Sequence, residues 1–502
     1  MIDTKALRQK ILDMAIRGKL VPQDPNDEPA SVLLERIRAE KQQLIKEDKN
    51  KKDKNDSVIF KGDDNRYYEK VGSEVKDITD EIDLECPRNW TFVRLRDLIE
   101  LISGRDLLPT QYNSDKIGIP YITGASNLLN ERIIINRWTD TPSVVSHKGD
   151  LLITCKGTIG EMVFNNIGDI HIARQIMSIR CIGANSLFIM LVLKYYVSQL
   201  QSGAKSFIPG ISRDDILKLS FIMPPLAEQT RIVNRVEELF EQVDIIEQNQ
   251  ADIDTLYDEF RKRTLTLAIQ GKLVPQDPND EPASVLLERI RAEKKAKLGK
   301  KYVDSYIYKG DDNCYYEKVK DSAKEISEEI PFEIPEGWRW IRVDNLFQHN
   351  TGKALNSSNS QGVLHPYITT SNVYWGYFNL ECIKKMFFTE DEFAKCSIVP
   401  GDLLVCEGGD VGRAAIWEND ISMCIQNHIH RLRAYYPVCT QFYYFAFFVY
   451  KSIGLIGGKG IGIQGLSSGA LGKLIFSLPP LGEQERIVKQ VEIILENLKD
   501  EG

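Results

Sequence analysis

Residues Gly18–Lys41 read GKLVPQDPNDEPASVLLERIRAEK, and Gly271–Lys294 repeat those 24 letters without a change. A second repeated block recurs 255 positions apart against 253 for the first, PPLAEQTRIV at Pro224–Val233 and PPLGEQERIV at Pro479–Val488. A fixed long period constrains architecture more than any local propensity, because each copy must build the same supersecondary unit. Two stretches with little mutual resemblance lie between the matched blocks. A duplicated frame with two divergent inserts reads as a holder for two different recognition surfaces.

At 502 residues the chain is too long for one core, and two to four domains are expected. No apolar run reaches the length of a membrane span, and MIDTKALRQKILDMA reads as an amphipathic helix rather than a secretion signal. Nine cysteines without a C-x-x-C pair give neither a metal nor a disulfide framework, which points to a reducing, cytoplasmic setting. Net charge is −8, with its parts unevenly spread. Cys86–Met223 holds 15 Lys and Arg against 11 Asp and Glu, Pro331–Pro479 holds 12 against 12, and Leu226–Gln270 holds 5 against 10. Phosphate binding depends on local basic surface, so the first insert suits nucleic acid, the second needs one suitable face, and the acidic segment does not suit it.

Leu226–Gln270 carries a sustained heptad at Ile232, Val236, Leu239, Val243, Ile246, Gln250, Ile253, Tyr257, Phe260, Thr264 and Leu267. That spacing predicts a coiled-coil rod of roughly 65–70 Å, with Gln250 fixing register and Gly271 and Pro275 ending the helix. A partner rod is predicted in two pieces. Ile487, Val491, Ile494 and Leu498 match its first half, and Leu7, Ile11 and Met14 match its last, so the two chain ends are expected to be neighbours. The acidic rod face, with Glu237, Glu238, Glu241, Asp244 and Glu247, is either a solvated face or a docking surface for a subunit.

After each rod the prolines of VPQDPNDEPA force an extended connection, and Ser31 or Ser284 is expected to cap a short helix. Lys46–Asn55 is a solvated charged stretch. The inserts alternate short apolar runs with turns, as in GIPYIT, ERIIIN, GDLLIT and QIMSIR, then HPYITT, GDLLVCE and HIHRLR. Helices are predicted over Leu187–Ser202 and Thr440–Gly454. These inserts read as two copies of one mixed domain with different surfaces. The chain thus divides into a half-rod and frame (1–45), a charged loop and frame (46–85), insert one (86–223), a central rod and frame (224–294), a frame linker (295–330), insert two (331–478) and a final half-rod (479–502).

This order, with PPLxEQxRIV opening each rod and AIxGKLVPQDPNDEPA closing it, resembles the specificity (S) subunit of type I restriction–modification systems over nearly the whole chain. The helix Met1–Leu20 ahead of the first insert departs from a simple arrangement by placing the cut within the second rod. The resemblance implies an α+β, pseudo-two-fold cyclic repeat: two mixed α/β target recognition domains joined by two long antiparallel coiled-coil helices. Each domain would read half of a split double-stranded DNA sequence. Two methyltransferase subunits and restriction–translocase subunits would assemble on the frame. S-adenosylmethionine, ATP and Mg²⁺ would belong to those partners, and this chain would be a non-catalytic subunit without cofactor, metal or membrane contact.

The residues agree with a non-catalytic reading. No N-P-P-[FY] or D-P-P-[FY] methylation motif is present, and the prolines of MPPL and LPPL suit helix starts. GIGIQG at Gly460–Gly465 lacks the βαβ context of a nucleotide loop and suits a flexible loop near DNA. His428 and His430 share a strand spacing without Cys, Asp or Glu partners, which leaves a strand pair or DNA contact ahead of a metal site. Asp150 and Asp402 sit in GD turns without a nuclease pattern. Side chains able to pair with base edges give the DNA-binding candidates. In the first insert they are Arg105, Asn127, Lys156, Thr158, Arg174, Gln175, Lys205 and Arg213. In the second they are Lys353, Asn372, Glu407, Arg413, Gln426, Asn427, Lys459 and Gln464. An ordinary surface role competes at each position. A coiled-coil adaptor whose inserts bind proteins is the principal alternative, and a self-contained nuclease or methyltransferase is the other.

Overall fold

The computed structural model describes residues 2–46, 57–81, 85–129, 132–203, 210–355, 361–457 and 466–500. Most of the charged stretch after Lys46, the glycine loop Gly460–Gly465, and candidates Lys205, Lys459 and Gln464 lie outside the described residues. The chain forms two compact units, Met1–Ala251 and Asp252–Gly502.

In the first unit, α1 (Thr4–Ile16) and α2 (Ala30–Lys46) precede an antiparallel sheet of Ser57–Lys61, Tyr67–Val71 and Glu74–Asp77. The insert then opens and closes on one ribbon, because Thr91–Arg94 pairs antiparallel with Ser220–Met223. Between those strands lie two four-stranded sheets and α3 (Ser186–Gly203). One sheet holds β1 (Ile99–Ser103), β2 (Leu151–Thr154), β3 (Met162–Phe164) and β4 (Ile176–Cys181) in the order β3-β2-β4-β1. The other contains a parallel pair, Ile119–Ile122 with Ile170–Ile172, which makes the domain mixed. Ile122, Leu152, Ile170, Ile172 and Ile176 are buried together in a small core. Helix α4 (Leu226–Ile269) begins in this unit and ends in the next.

The second unit repeats the plan with α5 (Ala283–Leu298), α6 (Thr440–Ser452) and α7 (Leu481–Asp500). Its frame sheet joins Ser305–Lys309, Tyr315–Val319 and Ser322–Glu325, and Arg339–Arg342 pairs with Ile475–Leu478 to seal the insert. The sheet of β5 (Phe347–Thr351), β6 (Leu403–Cys406), β7 (Ala414–Ile416) and β8 (Ile429–Ala434) runs β7-β6-β8-β5, the order of its counterpart. The two inserts therefore share one fold despite their divergent sequences.

The repeated blocks meet each other in space, which explains why they repeat together. Trp90 Nε1 donates to Glu228 at 2.9 Å, and Trp338 Nε1 donates to Glu483 at 2.9 Å. Arg231 forms an ion pair with Asp27, and Arg486 forms one with Asp280. Gln229 Nε2 donates to the Pro224 carbonyl while its Oε1 accepts from Asn185 N; Gln484 does the same with Pro479 and Cys439. The E-Q-x-R letters of each rod start thus grip the proline segment, the tryptophan turn and the insert's helix.

The connection after each helix needs glycine. Gly18 and Gly271 adopt φ of +67° and +69°, and a Cβ there would come within 3.0 Å of the Trp90 ring and 2.9 Å of the Trp338 ring. The expected serine caps are corrected. Helices α2 and α5 start at Ala30 and Ala283, one residue before Ser31 and Ser284, and Pro282 occupies the cap position of α5. Their first amides are satisfied through tertiary contacts instead, Ala30 N donating to Asn89 O and Ala283 N to Gly337 O.

Helix α4 has the expected extent, and α1 runs antiparallel to its first part. Gln250 Nε2 donates to the Ile2 carbonyl at 3.4 Å, and Arg8 pairs with Asp244 and Glu247. Ile232, Val236, Val243 and Ile11 are buried, with Leu239, Ile246, Leu7 and Met14 half-buried. In the second unit Ile487 and Val491 are buried, and Ile494, Leu498 and Tyr257 are half-buried. The heptad reading fails at Ile253 and Phe260, which are 58 % and 46 % exposed, while Leu265, Ala268 and Ile269 are buried off the predicted positions. Residues 251–260 are all exposed except half-buried Tyr257, so this stretch of α4 has no covered face, whereas the predicted position Thr264 is buried at 4 %.

Candidate nucleic-acid interface

Strand register brings three loops to one end of the β3-β2-β4-β1 sheet. Thr154 at the end of β2 faces Ile176 at the start of β4, and Ser103 at the end of β1 faces Met177. The loop after β1 carries Arg105, the β2–β3 turn carries Lys156 and Thr158, and the approach to β4 carries Arg174 and Gln175. All five are exposed. Their backbones are stitched together: Cys155 N donates to Gln175 O at 2.8 Å, Arg105 N to Ile172 O at 2.9 Å, and Ile211 N to Cys155 O at 2.9 Å.

The second domain builds the same edge from β5, β6 and β8. Thr351 faces His430, and Cys406 faces Ile429. Glu407 N donates to His428 O, and Asn427 N donates to Lys353 O, so the loops after β5, after β6 and before β8 converge. One glycine in each domain makes this convergence possible. A Cβ on Gly104 would lie 2.1 Å from Ala173 O, and one on Gly352 would lie 2.0 Å from Ile425 O.

The two edges differ in charge. In the first, Arg105, Lys156 and Arg174 present cations, Arg174 pairing with exposed Asp106 at 2.8 Å. In the second, Glu407 lies 3.7 Å from the exposed His428, Asp410 pairs with Lys451, and Gln426 and Asn427 are half-buried. Donors and acceptors in such loops suit base edges, and exposed cations suit phosphates.

Several sequence-selected residues serve the fold. Asn127 is fully buried; its Oδ1 accepts from Thr123 N and Oγ1, and its Nδ2 donates to Ile134 O. Asn372 is buried in the same way, accepting from Thr369 N and Oγ1 and donating to Asn379 O. Both amides close loops and have no free edge for a base. Lys353, 11 % exposed at its side chain, is spent on Glu392 and the Phe387 carbonyl. Arg213 donates to the Leu101 carbonyl at 2.6 Å, which ties its loop to β1. Arg413 donates to Thr370 O at 2.6 Å with its guanidinium over the Tyr374 ring.

The histidine pair is likewise structural at one member. His430 is buried, with His349 Nε2 2.9 Å from its Nδ1 and Leu466 O 2.6 Å from its Nε2. Burial, with His430 beside it, pushes His349 down to about 4. No cluster of His, Cys, Asp or Glu fit to hold a metal occurs among the described residues. Asp150 and Asp402 are buried and each takes a two-pronged contact from an arginine, Arg180 and Arg433, which gives the GD turns a structural role.

One exposed element was absent from the candidates. Tyr374 and Tyr377, in the hairpin of Val373–Tyr374 and Tyr377–Phe378, stack at 4.9 Å and 11°, and both are exposed. The letters VYWGY at Val373–Tyr377, three aromatics and a turn glycine, were the available signal.

A family model described as the type I restriction modification DNA specificity domain matches residues 87–255 and 335–500, once in each half. The chain belongs to this family. It is similar to the type I restriction enzyme EcoAI specificity subunit of Escherichia coli, 28% identical over 98% of this chain and 89% of that one. It is also 27% identical to the EcoEI specificity subunit of Escherichia coli, over 82% of this chain and 74% of the relative. A solved structure described as bearing on complex assembly and conformational transition of the type I R-M system shares the fold. The TM-score is 0.55 and identity 19%, over 83% of this chain and 92% of that one. At family level the chain is a DNA specificity protein of the type I restriction–modification kind with two copies of the domain, and the adaptor reading finds no support. No helix among the described residues is long and apolar enough to cross a membrane.

Proposed function

We propose that the inserts, residues 86–223 and 331–478, each read one half of a bipartite double-stranded DNA target through the loop edges described above. The observation that carries this reading is the same three-loop edge built twice, with different side chains, on a frame repeated almost letter for letter. In the first domain Arg105, Lys156, Thr158, Arg174 and Gln175 would face DNA. In the second, Glu407, Gln426, Asn427 and His428 would supply base contacts on an edge with less positive charge. Helix α4 on one side, and α7 with α1 on the other, would form antiparallel rods that set the gap between half-sites.

The chain itself performs no catalysis in this reading. Two methyltransferase subunits and the restriction subunits would dock on the repeated frame and supply S-adenosylmethionine, ATP and Mg²⁺ chemistry in the cytoplasm. One surface type presented twice suits two copies of one partner.

The test is a genome-wide map of N6-methyladenine in the host with and without this gene. Loss of methylation at one split motif, two short half-sites around a fixed gap, is the expected result. Replacing residues 86–223 by another insert should then change one half-site and leave the other. A map unchanged by deletion of the gene in a host with active partner subunits overturns the proposal.

A further inference from the structure

The repeat permits a site-by-site comparison of the two units, and one site is filled in the second and open in the first. The hydrogen bonds of Gln229 to Asn185 and of Gln484 to Cys439 anchor the correspondence. Met190 on α3 therefore matches Tyr444 on α6, and Lys194 matches Phe448. Arg8 and Arg261 correspond through the duplicated frame.

In the second unit this place is packed with aromatic rings. Trp375 lies edge-on to Phe448 at 5.2 Å and 6.2 Å from Tyr444. The Arg261 guanidinium sits 4.6 Å over Phe448 and donates to the Tyr444 hydroxyl at 3.3 Å. In the first unit the corresponding place is a groove of about 830 Å³. Its apolar wall includes Met162, Phe164, Met190, Val236 and Phe240. Arg8 lines the groove too, held over the Phe240 ring and paired with Asp244 and Glu247. The corresponding stretch Leu128–Ile133 of the first insert contains no tryptophan. Glu237, Glu241 and Asp244 line the same groove from the acidic face of α4, with Lys194 of α3 across from them.

We propose that this groove receives a tryptophan side chain from a basic segment of another protein, occupying the place that Trp375 fills within the second unit. The occupant is specified by two observations: the repeat-related site already holds an indole, and the ionisable lining of the groove, Glu237, Glu241 and Asp244 against Arg8 and Lys194, is acidic on balance. An indole entering such a site buries about 150–250 Å² and gains from sulfur and ring contacts with Met162, Met190 and Phe164. The inference does not rest on DNA recognition. It makes the two units unequal in what they bind despite their common frame.

The test titrates the full chain with the pentapeptide Lys-Lys-Trp-Lys-Lys carrying 5-fluorotryptophan, followed by its ¹⁹F resonance. A matching peptide with alanine for tryptophan, followed by competition, measures the charge contribution alone. The tryptophan peptide is expected to bind one per chain, at least tenfold more tightly than the alanine peptide. Met190→Trp fills the groove from within and should weaken binding at least tenfold, with circular dichroism and melting temperature unchanged. Trp375→Ala opens the counterpart and should add a second equivalent. Equal binding of the two peptides, or undiminished binding to a folded Met190→Trp chain, overturns the proposal.

Discussion

Trp90 and Glu228, 138 residues apart, meet through a 2.9 Å hydrogen bond from the indole Nε1 to a carboxylate that is only 1 % exposed. The bond ties the turn that opens the first insert to the helix that follows it. Its copy, Trp338 to Glu483, ties the second. The environments differ: Glu483 Oε1 also accepts from Gln276, while Glu228 Oε1 is buried without a partner among the described residues.

Burial raises the Glu228 carboxyl above its ordinary range, with the Trp90 bond acting in the opposite direction. A carboxyl whose folded pKa is raised contributes stability below its unfolded pKa, and that contribution is lost as pH rises through the folded value. At pH 8 the buried charge is therefore a burden. Glu228→Gln keeps an acceptor and removes the charge, so its melting temperature at pH 8 should equal or exceed that of the parent, while at pH 4 the advantage disappears. Trp90→Phe leaves the carboxylate without its donor and should cost about 1–3 kcal/mol. Thermal unfolding of the full chain across pH 4–8 checks both. A Gln variant less stable than the parent at pH 8 would refute the charge argument.

The frame was legible in the sequence because both members of each contact repeat together. The E-Q-x-R letters and the proline segment lie in matched blocks, Trp90 and Trp338 close the matched turns PRNW and PEGW, and the fold brings these pieces into contact. Side-chain roles inside the inserts were not legible in this way. Asn127, chosen for its ability to pair with adenine, uses that same donor–acceptor amide to close its own loop. Composition does not distinguish these uses, because the chemistry is identical and only burial differs. Ile253 and Phe260 illustrate another limit, since a heptad marks an apolar face without saying which part of it another element covers.

This distinction separates two kinds of substitution in the first domain. Lys156→Ala removes an exposed cation on the loop edge and should weaken DNA binding without changing the motif. If Lys156 touches one phosphate, the slope of log affinity against log salt should fall by about 1. Asn127→Ala strands the Thr123 amide and the Ile134 carbonyl in a buried loop and should cost about 2–4 kcal/mol. Fluorescence anisotropy of the assembled methyltransferase over a salt series, with thermal unfolding alongside, separates the effects. A motif change in a stable Asn127→Ala complex would restore that residue as a base reader.

The His349–His430 pair gives the second unit an acid sensitivity. With its folded pKa depressed to about 4, His349 contributes stability above the unfolded value near 6.5 that is lost as pH falls toward 4. Partial exposure of the ring limits the effect to about 1–2 kcal/mol. Hydrogen exchange in β5 and β8 should accelerate as pH falls from 7 to 4.5, after correction for intrinsic exchange. His349→Gln should flatten that dependence. An equally steep profile in the variant would place the sensitivity elsewhere.

Helix α4, 44 residues long, offers a direct test of whether the rods measure DNA. Seven residues inserted after Gln250 add about 10.5 Å, and return the helix face to within about 20° of its former direction. At 3.4 Å per base pair that is about three base pairs of unread spacer. Because α1 and α7 pack on α4, a matched seven-residue extension at the end of α7 must accompany the insertion. The expected methylation map keeps both half-sites and lengthens the gap between them. An active double-insertion enzyme with an unchanged gap would mean that the separation of half-sites is fixed by the docked subunits, and the helices would then be a frame without being a ruler.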